Sequence, residues 1–488
     1  MLAGGFSFAA SAAKRDDLPF AGLLDVAKLI RTREISPVEL TKAQLARIEA
    51  LDGKLHSYAR VMAERALAAA KKAEAEIMAG RYLGPLHGVP IAVKDLYYTA
   101  GAVTAAGCKV MSKNLSKFDA TVVARFNKAG AVLLGKLHTT EGAMSGYQRE
   151  FPVPRNPWGA DRWPGVSSSG SGVATAAGLC YGSLGSDTGG SIRYPAAANG
   201  IVGLKPTYGR VSRYGVWPLA PSLDHVGPMT RRVADAAAML QAIAGYDMQD
   251  STSLSDPVPD YLAEINRGIK GVRLGFDEAY TSEDVPAHVA AGVRTALGVL
   301  EKLGGRVVPV KIPRLVHSSI WYTITTAETA AVHEATYPSR AGDYGKGFGG
   351  VLEYGRKLTG VQVAQANVWR AEYCGQIRQA FRGIDLLVCP SMASEAFVYD
   401  PSWAYEGLNP AAGRIDGVAN RFFSVSNRFT EAHDFTGYPT LSLPCGMSPD
   451  RMPLSVQLVG HPLAESLLCR AGQAYESATE WHTKHPSL

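Results

Sequence analysis

Cysteine is scarce in this 488-residue chain, with six in all at Cys108, Cys180, Cys374, Cys389, Cys445 and Cys469. They lie far apart with no Cys-x-x-Cys pair, so neither a disulfide framework nor a zinc site is suggested, and they read as small buried hydrophobes in a reducing compartment. The eleven histidines form no His-x-x-x-His arrangement, and no carboxylate cluster has metal-ligand spacing, so no metal is expected. No apolar run reaches the ~18 residues of a membrane-spanning helix, so no transmembrane segment is expected. Charge of one sign is not in excess either. Fifty basic against 44 acidic residues leave +6, a small surplus that does not argue for nucleic acid. The lysine-rich stretch from Lys109 to Lys117 reads as a solvated loop face. A Gly-x-Ser-x-Gly elbow is missing, which leaves His225 and His433 without the nucleophile of an α/β-hydrolase triad. Gly130 to Lys136 follows a P-loop until its last place, where Leu137 replaces the required Ser/Thr. Internal repeats and low-complexity tracts are absent.

What is present is ordinary in bulk: 46% hydrophobic and 19% charged residues, enough apolar material for a large core. The length could hold two to four average domains, but single α/β domains of this size exist, and the reading is one domain over 20–484. Within it, 20–80 forms a helical N-terminal edge, 84–232 carries the motifs described next, and 250–484 supplies the remaining α/β elements and specificity loops. Met1 to Ala13 holds an apolar run and Ala10-Ser11-Ala12, like the end of a secretory signal but without a positive n-region. Residues 1–19 are therefore expected to be a flexible tail or a truncated leader. The location read from this is cytoplasmic, with export to the periplasm as the alternative if 1–13 is a signal remnant.

Local patterns fill in the elements. Leu23 to Ala79 reads as helical, with Ser36 as N-cap, Pro37 at N1 and Glu39 at N3. Met62 to Met78 continues as a long exposed helix. Val89–Val93 and Ala131–Gly135 read as strands around a helix over Thr121–Ala129, an α/β alternation. A small-residue helix over Val173–Cys180 precedes a strand over Tyr181–Gly185. Later come a strand at Val272–Phe276, a helix over Val289–Leu303, helices between Ser318 and Phe381 broken by the glycine-rich Tyr344–Gly350, and a core strand at Asp385–Pro390. Tyr399 to Phe423, with Trp403, Tyr405, Phe422 and Phe423, reads as a long irregular segment of the kind that carries specificity.

Two serine clusters carry the chemistry. In Gly185-Ser186-Asp187-Thr188-Gly189-Gly190-Ser191-Ile192-Arg193, small residues let successive backbone N–H groups surround one point, as an oxyanion hole requires, with Ser191 beside them as a candidate nucleophile. Pro164-Gly165-Val166-Ser167-Ser168-Ser169-Gly170-Ser171-Gly172 supplies hydroxyls that could relay a proton. Upstream, the strand-like Gly88-Val89-Pro90-Ile91-Ala92-Val93 ends in Lys94; burial there would favour a neutral amine able to act as a base.

With these motifs the chain resembles the amidase signature family of serine hydrolases. The likeness continues through Gly203–Ser212, Ser222–Arg231, Thr436–Pro439 and Val456–Gly460, so it spans most of the chain. It implies a Ser–cis-Ser–Lys triad at Ser191, Ser167 and Lys94, and an oxyanion hole from the N–H groups of Thr188, Gly189, Gly190 and Ser191. It further implies a single large α/β domain with a mixed central β-sheet covered by helices on both faces. Asp187 and Arg193 are then expected to brace the loop. Two departures stand out: Val166 and Ser169 occupy glycine places of the family's first serine motif, and Leu137–Met144 replaces the segment that lies beside bound substrate in relatives. The implied activity is hydrolysis of a small-molecule amide, anilide or carbamate through a seryl acyl-enzyme, with no cofactor, no nucleic-acid partner, and room for a homodimer. Tyr97, Tyr98, Phe151, Trp163 and Trp217 are candidate pocket aromatics, though aromatics are more often core. Two alternatives stay open: the glutaminase subunit of a tRNA-dependent amidotransferase, whose motif has glutamine where this chain has Tyr194, and a catalytically silent binding protein.

Overall fold

Apolar runs of four to eight residues, each too short for a helix, recur along the chain and become strands of one sheet. The computed structural model describes residues 18–144, 146–315, 319–400, 404–405 and 417–488, with side chains from 422 onward in the last of these. The strands are β1 (Tyr58–Val61), β2 (Pro90–Lys94), β3 (Val132–Leu137), β4 (Gly182–Asp187), β5 (Val202–Lys205), β6 (His225–Thr230), β7 (Arg273–Phe276), β8 (Arg306–Pro309), β9 (Leu386–Pro390), β10 (Thr440–Met447) and β11 (Pro453–Gly460). They form an 11-stranded sheet in the order β1-β3-β2-β4-β6-β5-β10-β11-β9-β7-β8.

The sheet is mixed. β2 runs parallel to β3 and to β4, the stretch from β4 through β9 is antiparallel, and β7 pairs parallel with β9 and β8. Every residue of β2, β3 and β4 is buried, as strands covered on both faces must be. The catalytic-looking motifs therefore sit at the ends of central strands, where the backbone on either side is fixed. The result is a single large α/β domain.

Helix starts follow the local signals. Ser36 Oγ accepts from the Glu39 N–H and Glu39 Oε2 accepts from the Ser36 N–H, both at 3.0 Å, opening the Pro37–Leu55 helix. The Ala63–Met78 helix is not simply exposed: Ala66, Ala70, Ala73 and Ile77 are buried, a stripe that packs it on β3. Between these helices the expected helical run is interrupted by β1, whose four residues close the sheet edge against β3.

Two further readings change. The Lys346–Lys357 helix runs through Gly347, Gly349 and Gly350, because burial of Phe348, Val351 and Leu352 outweighs the low helix propensity of glycine. The segment over 399–423 is helical from 417, where the Gly417–Phe435 helix begins, while 401–403 and 406–416, with Trp403, lie outside the described residues. At the start of the chain, 1–17 lie outside them too. Leu18–Phe20 already forms a turn tied to the body, with the Tyr181 hydroxyl donating to Leu18 O at 3.1 Å. His485 stacks on Phe20 with ring centroids 3.9 Å apart.

Among the described residues no helix is long and apolar enough to cross a membrane. All six cysteines are free thiols, five buried and Cys374 half-buried. A thiol reagent applied to the native protein should therefore label Cys374 first, and all six should react after denaturation without reductant; fewer than six would reveal a disulfide.

Candidate active site

The loop after β4 is organised by Asp187. Its Oδ1 accepts from the Gly190 N–H at 2.7 Å and its Oδ2 from the Ile192 N–H at 2.9 Å. The Arg193 guanidinium closes on the same carboxylate from Nε at 3.0 Å and Nη2 at 2.8 Å. Arg193 also reaches Asp434 Oδ2 at 2.7 Å and Thr430 O at 3.0 Å on the Gly417–Phe435 helix. All three ionic side chains are fully buried. Burial would raise the Asp187 carboxyl, but Arg193 overrides it and holds the group well below the usual carboxylate range. Asp187 and Arg193 thus brace the loop. Gly190 sits at φ +126°, and a Cβ there would lie 2.6 Å from the Tyr194 ring, so only glycine fits.

Lys94 at the end of β2 is fully buried, and its Nζ lies 2.8 Å from Ser167 Oγ and 2.9 Å from Ser186 Oγ. Burial lowers its ammonium to about 7, against the opposing pull of Asp224 and Asp187. Among the described residues no carboxylate pairs with the amine, and its hydrogen-bond partners are hydroxyls. Ser186, unremarked in the sequence among the small residues of the loop, completes the lysine's contacts.

The peptide between Val166 and Ser167 is cis. Ser168 Oγ accepts from the Ser186 N–H and donates to Ser186 O, each at 3.2 Å, and the Ser168 N–H donates to Ser191 O at 3.3 Å. These bonds clamp the first serine cluster onto the second. The structure therefore brings Lys94 and Ser167 into direct contact and sets Ser191 against the residue that follows Ser167. Among the described residues the Ser191 hydroxyl has no hydrogen-bond partner, and unlike Ser167 it is partly exposed.

Of the four N–H groups expected to form an oxyanion hole, that of Gly190 is already bonded to Asp187 and points into the buried knot rather than outward. This corrects the reading from sequence, in which a run of small residues cannot distinguish donors aimed at substrate from donors that hold the turn. Among the described residues the N–H groups of Thr188, Gly189 and Ser191 meet no protein acceptor. The Thr188 hydroxyl donates to Asp224 Oδ1 at 2.6 Å, and burial raises that carboxyl to about 6.

A cavity of about 740 Å³ opens over Ser191 and Gly189. Its walls include Met144, Val166, Tyr194, Trp321 and Phe423, with Arg314 and Arg428 among its charged members. None of the five aromatics picked from sequence lines it. Trp163 is fully buried and stacks on Phe397, the Tyr97 hydroxyl donates to Gly185 O at 2.5 Å, and Trp217 faces a separate pocket. Nearness to the motifs in sequence failed as a guide because much of the cavity wall comes from segments far down the chain. The irregular segment suspected of carrying specificity does contribute Phe423.

The family model described as Amidase matches residues 39–469. The chain belongs to the amidase family. This amidase is an amide C–N hydrolase. It is 44% identical over 470 residues, covering 96% of both chains, to the Mycobacterium tuberculosis protein that carries the name amidase AmiD. It is 38% identical over 487 residues to a glutamyl-tRNA(Gln) amidotransferase subunit from Geobacter metallireducens, covering 94% of this chain and 97% of that one. Among solved structures it superposes on the peptide amidase PAM bound to chymostatin with TM-score 0.83 and 29% identity, covering 96% of this chain and 99% of that one. It matches 6-aminohexanoate cyclic dimer hydrolase bound to substrate with TM-score 0.84 and 28% identity, with the same coverage.

The two departures in the amidase motif have structural partners. Val166 packs in an apolar cluster with Tyr147, Trp163 and Tyr194, and Ser169 Oγ shares a 2.5 Å hydrogen bond with the Tyr147 hydroxyl. In the Leu137–Met144 segment, Glu141 accepts from the Gly345 N–H at 3.0 and 3.1 Å, while Ala143 and Met144 border the cavity. Replacing Arg193 by Met would leave two buried carboxylates without their cation, a loss of about 3–5 kcal/mol. Urea unfolding of Arg193→Met should show a destabilisation of that size, and a change under about 1 kcal/mol would mean that the knot does not hold the loop.

Proposed function

We propose that this amidase forms a seryl acyl-enzyme at Ser191, with Ser167 and Lys94 as its proton relay. The observation that carries the reading is the contact of a fully buried Lys94 amine with Ser167 Oγ at 2.8 Å. With its ammonium lowered to about 7, Lys94 is substantially neutral near neutral pH and takes a proton from Ser167, which takes one from Ser191 as Oγ attacks the amide carbonyl. The Ser191–Ser167 hydrogen bond forms as substrate docks, since catalytic contacts tighten in the Michaelis complex. The developing oxyanion is received by the free N–H groups of Thr188, Gly189 and Ser191. As the tetrahedral intermediate collapses, the C–N bond breaks and the proton returns through Ser167 to the leaving nitrogen. Water then attacks the ester, giving a proton to the relay, and Ser191 leaves with that proton. The products are a carboxylic acid and ammonia or an amine; a carbamate would release carbon dioxide as well.

The substrate class that best fits is a small neutral amide, anilide or carbamate with an apolar or aromatic group. Supporting this, Met144, Val166, Tyr194, Leu219, Trp321 and Phe423 border the cavity, and its arginines are engaged: Arg314 pairs with Glu283, and Arg428 donates to Tyr280 O and Glu283 O. The identity to glutamyl-tRNA(Gln) amidotransferase components keeps a second reading in play, a glutaminase that works with partner proteins. A panel of amides, anilides, carbamates and glutamine decides between them by which member is turned over.

Removing Ser191 should abolish turnover and labelling by a fluorophosphonate, while Ser167→Ala and Lys94→Ala should each lower kcat by roughly 10³-fold or more, with Ser167→Ala/Lys94→Ala little worse than either alone. Near-wild-type turnover by Ser191→Ala sinks the scheme. Because the working base is the neutral amine, kcat/KM should rise with pH through a step near 7 and fall about tenfold per unit below it. A profile flat from pH 5.5 to 8 would remove Lys94 as the base.

A further inference from the structure

The four peptide units from Asp187 to Ser191 are pinned to different degrees. In a trans peptide the C=O and the N–H point in opposite directions, so holding one end aims the other. The unit joining Gly189 to Gly190 is held at both ends, by the Thr430 hydroxyl donating to Gly189 O at 2.8 Å and by the Gly190 N–H on Asp187. The unit joining Gly190 to Ser191 is held by the Tyr194 N–H donating to Gly190 O at 2.7 Å, the first turn of the following helix. The unit joining Thr188 to Gly189 is held at its carbonyl by the indole of Trp321, whose Nε1–H donates to Thr188 O at 2.8 Å. Its other end, the Gly189 N–H, is one of the free donors. The same indole lies flat enough on the turn that a Cβ on Gly189 would be 2.8 Å from it, and its ring forms part of the cavity wall.

We propose that Trp321 is a positioning residue for the oxyanion donor at Gly189: it fixes the Thr188–Gly189 peptide plane so that the Gly189 N–H is aimed at the reacting carbonyl oxygen before substrate arrives. Trp321 lies on the Ile320–Val332 helix, far in sequence from either serine motif, so the motif's geometry is completed by a residue outside it. The indole is held by its own helix, whose Ile320 and Ile324 are fully packed in the core. Without that bond, the plane is free to rotate about its flanking torsions, and a preorganised donor becomes one that must be reoriented during reaction, which erodes its contribution. Since the ring also borders the cavity, a substrate group resting on it presses the same side chain that aims the donor. The inference rests on the seryl acyl-enzyme reading.

Trp321→Phe keeps a ring over Gly189 and removes the N–H. With the amide or anilide turned over best by the wild type, kcat should fall about 10- to 100-fold while KM stays within about threefold, part of the loss expected for deleting a donor outright. A trifluoromethyl ketone of the same acyl group, which forms an oxyanion on Ser191, should lose affinity by the factor that kcat/KM falls. An analogue that keeps the acyl side chain but lacks the carbonyl should bind unchanged. Should Trp321→Phe fail to fold, β-(3-benzothienyl)alanine at 321 keeps the shape of the indole with sulfur in place of N–H and should give the same split. Unchanged kcat and unchanged trifluoromethyl ketone affinity in a folded variant overturn the inference, as does a parallel loss in binding of the analogue without the carbonyl. Fluorophosphonate labelling of wild-type Ser191 is run beside it: its absence would mean that the acyl-enzyme reading has failed rather than the role of Trp321.

Discussion

The Asp187 carboxylate is the contact on which the loop after β4 depends. Three N–H groups, of Gly190, Ile192 and Arg193, and the Arg193 guanidinium share its oxygens, so the chain leaving β4 must turn back on itself at a fixed radius. Arg193 then carries the constraint to Asp434, Thr430 and Gln457, on elements that arrive more than two hundred residues later. A charged pair is costly to bury, but with both Asp187 oxygens accepting hydrogen bonds it acts as a rigid joint. The loop is consequently held in place before any ligand is present, which is the condition for N–H groups to act as preorganised donors.

The same economy of partners separates three buried lysines. Lys136 makes an ion pair with Asp95 at 3.0 Å, and Lys205 donates to Tyr438 O at 2.8 Å deep behind the loop. Lys94 alone among these three contacts a serine of the first cluster. Burial lowers Lys94 and Lys205 alike to about 7, so a depressed ammonium is not by itself a mark of chemistry. The neighbour decides: a hydroxyl in reach can yield a proton, whereas a peptide carbonyl has none to give.

The serine clusters and the cavity wall draw on different parts of the chain. The strands and turns between residues 90 and 200 supply the amine, the serines and the N–H groups. The cavity wall comes largely from 280 onward, with Trp321 and Phe423 beside Ser191 in the lining. Such a division lets the wall change without disturbing the loop, except where one side chain serves both, as Trp321 does by bonding Thr188 O.

Much of this was legible in the amino-acid order. The capping signal at Ser36, the strands read over Val89–Val93 and Tyr181–Gly185, and the α/β alternation arise from interactions a few residues long; the cap stands as read, and the two strands are present with bounds shifted by one or two residues. The pairing of Lys94 with Ser167 was implied by the family resemblance, since the local pattern alone left Ser168, Ser169 and Ser171 as equal candidates. What local pattern could not carry was anything set by packing between distant segments. The stripe of alanines on the Ala63–Met78 helix is weak in sequence and becomes buried only because β3 lies beneath it. The glycine-rich start of the Lys346–Lys357 helix is overruled by burial of Phe348 and its neighbours. The Gly190 N–H looked like a free donor until folding put the Asp187 carboxylate against it. By itself the sequence determined the strands that carry Lys94 and the second serine cluster, since backbone sterics and apolar periodicity act locally. Only the tertiary structure decided which N–H groups face outward, which aromatics form the wall and what pins the loop, because those depend on chain segments meeting across the sheet.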